Sequence, residues 1–266
     1  MMTFEQYVAI PALNWSTLKW ILTSPRLLQH RRQHPEPTKP AYSLGTAIHC
    51  AALEPERFAE WRPQPDFGDG RTKAAKAARA AWIADNADRV VIPAADYQTA
   101  IECAESLRAH AVWPLIEAAD RERTIQWEID GIACKARLDL LMADRIGDLK
   151  STRRSDVDGM RRDMASYLYA GQLAWYHDGA IAAGLAVTEA PMLVFVQSGD
   201  AHDVVAGPVS EAMLAAGRAL WTRAFRTYRD CMTVGRWPGM APDLVEWELP
   251  PWAAGMGESV DPEGEF

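Results

Sequence analysis

The chain has 266 residues, of which 48% are hydrophobic and 24% charged, with a formal net charge of −8. That length can bury a substantial core, in one large domain or in one domain with an appendage. No apolar run approaches the ~18 residues of a membrane span, and the start MMTFEQYVAIPALNW lacks the basic residues and long apolar stretch of a secretion signal, so no membrane partner and a cytoplasmic protein are expected.

The negative charge argues against a nucleic-acid partner only until it is located. Seven acids and no Lys or Arg follow Gly239, which leaves residues 1–238 at −1. Within that body basic residues gather at Lys19–Arg32, at Lys73, Lys76 and Arg79, and at Arg153, Arg154, Arg161 and Arg162, and local patches set an electrostatic footprint. Cys50, Cys103, Cys134 and Cys231 are scattered without a C-x2-C pair, as structural thiols of a reducing compartment would be.

In chain order, Asn14 to Lys19 opens a helical stretch that Ser24-Pro25 interrupts, followed by a basic, proline-bounded segment to Pro40. Ser43 is an N-cap candidate for a helix through about Phe58, with Gly45, His49 and Ala52 on one stripe. Residues 61–72, rich in Pro, Gly and Asp, predict a loop. A helix over Ala74–Ala87 carries Lys73, Lys76 and Arg79 along one side, equally a solvated stripe or a DNA-backbone contact, and Ala94–His110 predicts another helix.

From Thr124 the residues TIQWEI, Asp130-Gly131 and IACKARLDLLM predict a hairpin, because Asp-Gly between two alternating runs is a strong turn signal. With Ile129 paired to Ile132, the residues Ile125, Trp127, Ile129, Ile132, Cys134, Ala136, Leu138 and Leu140 share an apolar face. Gln126, Glu128, Lys135, Arg137 and Asp139 share the polar one. A second turn at Ala143-Asp144 would set Asp139 across from Asp148 and Arg137 across from Lys150.

Two carboxylates at that separation repel unless they share a proton or hold a cation, so Asp139, Asp148 and Lys150 form a candidate divalent-metal site. The bare spacing fits a solvated strand face about equally well. Glu128 shares the polar face but lies near the turn, opposite Ala133, and stands with Arg137 as a secondary candidate.

Beyond the strands, a helix from about Gly159 to Ala183 places Tyr169, Gln172 and Tyr176 on one face. Residues 192–197 and 202–207 predict strands and Glu211–Met232 a long amphipathic helix, before an acidic tail rich in proline and glycine. The tryptophans indicate packing, with Trp82 and Trp175 as groove candidates. The order of elements gives a mixed α/β core.

Five stretches, NWSTLKWILTSP, SLGTAIHCAALEPERF, GRTKAAKAAR, EIDGIACKARLD followed by GDLKST, and QLAWY at Gln172–Tyr176, resemble the PD-(D/E)XK nuclease superfamily. The likeness is to its prophage RecE-like group (the exodeoxyribonuclease VIII nuclease domain) and, more distantly, to RecB-type domains and phage lambda exonuclease. RWPGMAPDLVEWELPPW is similar to that family's closing segment.

The resemblance implies a restriction-endonuclease-like core with a mixed central sheet flanked by helices. It divides the chain into a single nuclease domain at 1–238, with a helical elaboration to about 120 and a catalytic core from about 121, and a tail at 239–266. It assigns Asp139, Asp148 and Lys150 to catalysis, and His49, Asp139, Asp148 and the Leu149 carbonyl to the metal. Gln172 and Tyr176 would position substrate, and the four arginines at 153, 154, 161 and 162 would grip the DNA backbone. Implied too are Mg²⁺, with Mn²⁺ as substitute, no iron-sulfur cluster, linear double-stranded DNA digested from 5′ ends, a single-strand annealing partner, a ring-like homo-oligomer (trimer or tetramer), and a bacterial or phage origin.

Overall fold

The computed structural model describes residues 2–34, 43–241, 243–250 and 253. Residues 35–42, which include the end of the proline-bounded segment at Pro40, and most of the acidic tail lie outside the described residues.

Polar caps start the N-terminal helices. Thr3 forms a reciprocal capping box with Gln6 on α1 (Phe4–Ala9), a helix too short to show a periodic apolar pattern. Asn14 caps α2 (Trp15–Leu18), which continues into a 3-10 turn, and Ser24 caps α3 (Pro25–Gln33) with proline at its first position. Ser43 caps α4, but α4 (Leu44–Leu53) stops short of the expected Phe58, because Pro55 cannot donate into a continuing helix and disfavours helical geometry at Glu54; α5 (Pro55–Phe58) restarts there.

The predicted loop 61–72 contains β1 (Arg62–Gln64), and α6 (Lys73–Asp85) links it to its parallel partner β2 (Val91–Pro93). Three residues with a central proline carry no readable alternation, which is why the strand escaped notice. Next come α7 (Ala94–Ala109) and α8 (Trp113–Ala118).

The main sheet follows as β3 (Asp120–Ile129), β4 (Ile132–Leu141) and β5 (Ile146–Thr152). Then α9 (Val157–Ser166) and α10 (Tyr169–Ala182) cross over to β6 (Met192–Gln197), and β7 (Val204–Pro208) leads into α11 (Glu211–Val234). Strand order is β3-β4-β5-β6-β7, parallel only between β5 and β6. The expected unbroken helix 159–183 is broken at Leu168, which sits in the left-handed region at φ 57°. No Gly or Pro marks that break; the two helices serve different clusters, Met160 packing with Leu193 and Phe195 while Trp175 and Tyr176 pack under β4.

One face of the sheet carries α4 and α7, whose Ala47, Ala51 and Leu107 pack on Leu149, Val194 and Val196. The other carries α10 and α11, where Trp175 and Phe225 pack on Cys134, Ala136 and Leu138. Gly217 makes this second layer tight, since a Cβ there would lie 2.1 Å from the Ala170 carbonyl oxygen. Trp175, a groove candidate, is instead buried between Trp127 and Trp221, and Trp82 packs edge-on against Phe67.

The hairpin turns at Asp130 and Gly131, both with positive φ, and pairs Ile129 with Ile132. Two side chains depart from the predicted alternation. Leu140 packs with the α4/α7 layer while Leu138 packs on the opposite side, because β3 and β4 are irregular at Glu122 and Asp139, which are absent from the ladder. Lys135, expected on an open polar face, is 3% exposed and donates to the carbonyls of Tyr7, Val8 and Ile10, so the N-terminal segment covers that face.

Candidate active site

The β4–β5 ladder holds the predicted register at Leu140↔Gly147 and Leu141↔Ile146 and then ends. Asp139 is the cause: its Oδ2 accepts the Leu149 N–H at 2.8 Å, so a side chain takes the place of the next backbone rung. The polar groups of the site gather where the strands part.

Helix α4 contributes the next group. Gly45 lets its first turn approach β5, since a Cβ there would lie 2.9 Å from Ser151 Oγ. One turn on, His49 Nε2 reaches Asp139 Oδ2 at 3.0 Å and the Leu149 carbonyl at 3.2 Å. The other ring nitrogen, Nδ1, lies 3.2 Å from Glu122 Oε1. The second Glu122 oxygen meets Arg137 Nε at 2.6 Å.

A second group is built on β5. Asp148 is fully buried; its Oδ2 is ion-paired with the Lys150 ammonium, and its Oδ1 accepts from Gln172 Nε2 at 2.9 Å. Lys150 lies over the Tyr169 ring at 5.0 Å. Tyr176 is buried behind Gln172, and burial raises its hydroxyl pKa well above the usual phenol value.

Environment drives the two aspartates apart. Burial pushes Asp148 up to about 6, with Asp139 adding to the rise and Lys150 opposing it. Burial also acts to raise Asp139, but the charge and hydrogen bond of His49, with Lys150 and the Leu149 N–H, carry it below the ordinary carboxylate value. His49 is held well above the usual imidazole range: burial opposes the charge, and Asp139 and Glu122 outweigh it. Lys150 is likewise raised, Asp148 and Asp139 overcoming its burial.

The donor set suits a hard divalent cation. His49, Glu122 and Asp139 bring ligand atoms within 4.8 Å of one another, the Leu149 carbonyl faces the same histidine nitrogen, and Asp148 Oδ2 is buried with no aligned hydrogen-bond donor beyond its ionic neighbour.

The remaining predicted residues fall elsewhere. Arg137 does not face Lys150; it turns to Glu122 and, at 3.7 Å, to Glu54, because the strands diverge before the expected rung forms. Glu128 is exposed, paired with Ala133 near the turn and away from the cluster. Arg154 is held by Asp163, Arg161 by Asp158 and Arg162, at 3.8 Å, by Asp156, whereas Arg153 is exposed. Arg153 and Arg154 line a cleft of about 600 Å³ with Ser43, Gly45, Ser151 and Tyr169, directly beside Lys150.

Glu122 was missed by starting the first strand at Thr124. Carried on past that residue, the same hairpin register sets Glu122 opposite Asp139.

A solved protein from Eubacterium rectale, described as a candidate exonuclease, is similar in structure with a TM-score of 0.55 at 12% identity, covering 97% of this chain and 99% of its own. A second solved chain, SSO0001, covers 80% of this chain and 85% of its own at 14% identity, with a TM-score of 0.28. No curated protein matches the sequence. The five-stranded mixed sheet flanked by helices is the PD-(D/E)XK nuclease fold, and an acidic cluster that could hold a metal lies among its described residues. Over residues 15–244 the chain matches, and so belongs to, the family described as a PDDEXK-like domain of unknown function, DUF3799.

Proposed function

We propose that the protein is a metal-dependent exodeoxyribonuclease that digests linear double-stranded DNA, from 5′ ends, leaving 3′ single strands for a recombination partner. The observation that carries the reading is the meeting of Asp139, Asp148, Lys150, His49 and the Leu149 carbonyl at the parting of β4 and β5. Membership of a PDDEXK-like family supports it.

His49, Asp139, Asp148 and the Leu149 carbonyl would hold Mg²⁺, or Mn²⁺ in its place. The bound ion supplies a water of lowered pKa and relief of the charge that develops on the phosphate. Lys150, cationic between Asp148 and Tyr169, orients the attacking water and neutralises a phosphate oxygen. Gln172 fixes the Asp148 carboxylate by holding Oδ1, which leaves Oδ2 facing Lys150. The cleft beside Lys150 receives the DNA end, and Arg153 at its rim contacts the backbone without reading sequence. A ring of subunits around the duplex would keep the enzyme on one strand.

End-labelled linear duplex and the same DNA as a closed circle, each with Mg²⁺, Mn²⁺, Ca²⁺ or EDTA, test the reading. Digestion of the linear form alone, with Mg²⁺ or Mn²⁺ and not with EDTA, is expected. Cleavage of the circle would make it an endonuclease, and undiminished digestion in EDTA would remove the metal from the chemistry.

A further inference from the structure

Glu122 is a buried acid near the start of the edge strand β3 with a backbone φ of 55°, a strained conformation for a non-glycine residue that persists where the surroundings enforce it. Its surroundings are specific. One carboxylate oxygen lies 3.2 Å from His49 Nδ1 and the other 2.6 Å from Arg137 Nε, itself on a side chain only 9% exposed. Asp139 and the Leu149 carbonyl lie on the far side of the imidazole, against Nε2.

With His49, Glu122 and Asp139 so close, a cation could be given all three as ligands. The ionic contacts of Glu122 and the hydrogen bonds of His49 Nε2 divide them differently. Both Glu122 oxygens are engaged, one by the imidazole and one by a guanidinium, while the Nε2 side of His49 faces the acceptors expected around a cation.

We infer that Glu122 is a positioning residue and not a metal ligand: anchored by Arg137, it accepts the His49 Nδ1–H and so presents Nε2 to a divalent cation shared with Asp139. A carboxylate behind a ligating histidine fixes both the ring orientation and the tautomer. This inference rests on the metal site of the proposed function and names the device that keeps one of its ligands in the competent form.

Glu122→Gln separates the two roles. Arg137 Nε demands an acceptor, so the amide oxygen turns to it and the amide NH₂ faces Nδ1. His49 then carries its proton on Nε2, where it cannot bind metal.

The test is calorimetric titration of the full chain with Mn²⁺ for wild type, Glu122→Gln, His49→Ala and the double variant. Glu122→Gln is expected to weaken Mn²⁺ binding roughly 10- to 100-fold. The double variant should bind as His49→Ala does, since the effect passes through the histidine. Unchanged affinity in Glu122→Gln, or a further loss of about tenfold in the double variant, would overturn the inference, the latter by making Glu122 a ligand in its own right.

A variant-free arm uses long-range ¹⁵N–¹H spectra of the Zn²⁺-loaded wild type. The remaining His49 proton should sit on Nδ1, and a proton on Nε2 overturns the idea. A wild type that binds no Mn²⁺ sinks both the metal site and this inference. Mn²⁺ binding without digestion of linear duplex sinks only the nuclease reading.

Discussion

Asp139 and Asp148 differ by one strand, yet the protein treats them oppositely. Asp139 is surrounded by donors, a backbone N–H and a histidine, and its carboxylate is stabilised as an anion. Asp148 has a glutamine and one lysine against it, and burial, with the nearby Asp139 charge, holds it up to about 6. Two neighbouring carboxyl groups with pKa values pushed apart can perform different tasks. Asp139 is held in its charged form, while Asp148, even with Lys150 already beside it, gives up its proton only as pH rises through about 6.

The largest expected effect removes that division. Asp139→Asn and Asp148→Asn should each lower turnover of linear duplex by about a thousandfold or more, roughly 4 kcal/mol of transition-state stabilisation. Lys150→Met should lower turnover about 100-fold or more with little change in duplex affinity. Equal turnover in either aspartate variant and wild type, measured by single-turnover digestion, would show that side to be structural.

The second effect sharpens the contrast in the absence of metal. Because the folded-state pKa of Asp148 lies above its ordinary value of 3.8, its contribution is fully present below that value and is lost as pH rises through about 6. Asp139, depressed, behaves in the opposite sense, its contribution being lost only as pH falls through its lowered pKa. Melting curves of metal-free wild type and Asp148→Asn between pH 4 and 7.5 should therefore diverge, with the variant gaining on the order of 2–3 kcal/mol relative to wild type across that range. A gap that does not change with pH would mean Asp148 is charged at little cost.

The smallest effect lies outside the pair, among the arginines. Arg153→Ala should reduce the salt dependence of duplex binding by about one unit of slope, as loss of one phosphate contact does. Arg161→Ala, whose guanidinium is held by Asp158 at 2.8 Å, should change it less. Binding isotherms over a range of salt, on an inactive variant, decide the order.

What is local could be read from the residues alone. Asp130-Gly131 set the hairpin register, because a two-residue turn leaves no freedom in which residues face one another, and Asn14 and Ser43 started helices because their side chains satisfy free backbone N–H groups, whereas Ser24, which reads as a break, caps a new helix. Asp148 and Lys150 shared a face for the same periodic reason. Tertiary structure decided the rest. The parting of β4 and β5 depends on a side chain, Asp139, capturing a backbone donor on its neighbour, which no periodicity encodes. The turning of Arg137 to Glu122, the covering of Lys135 by the carbonyls of α1, and the break at Leu168 all follow from what distant segments pack against them. Such contacts arise from closure of long chain loops, and no spacing in the sequence records which loop closes on which strand.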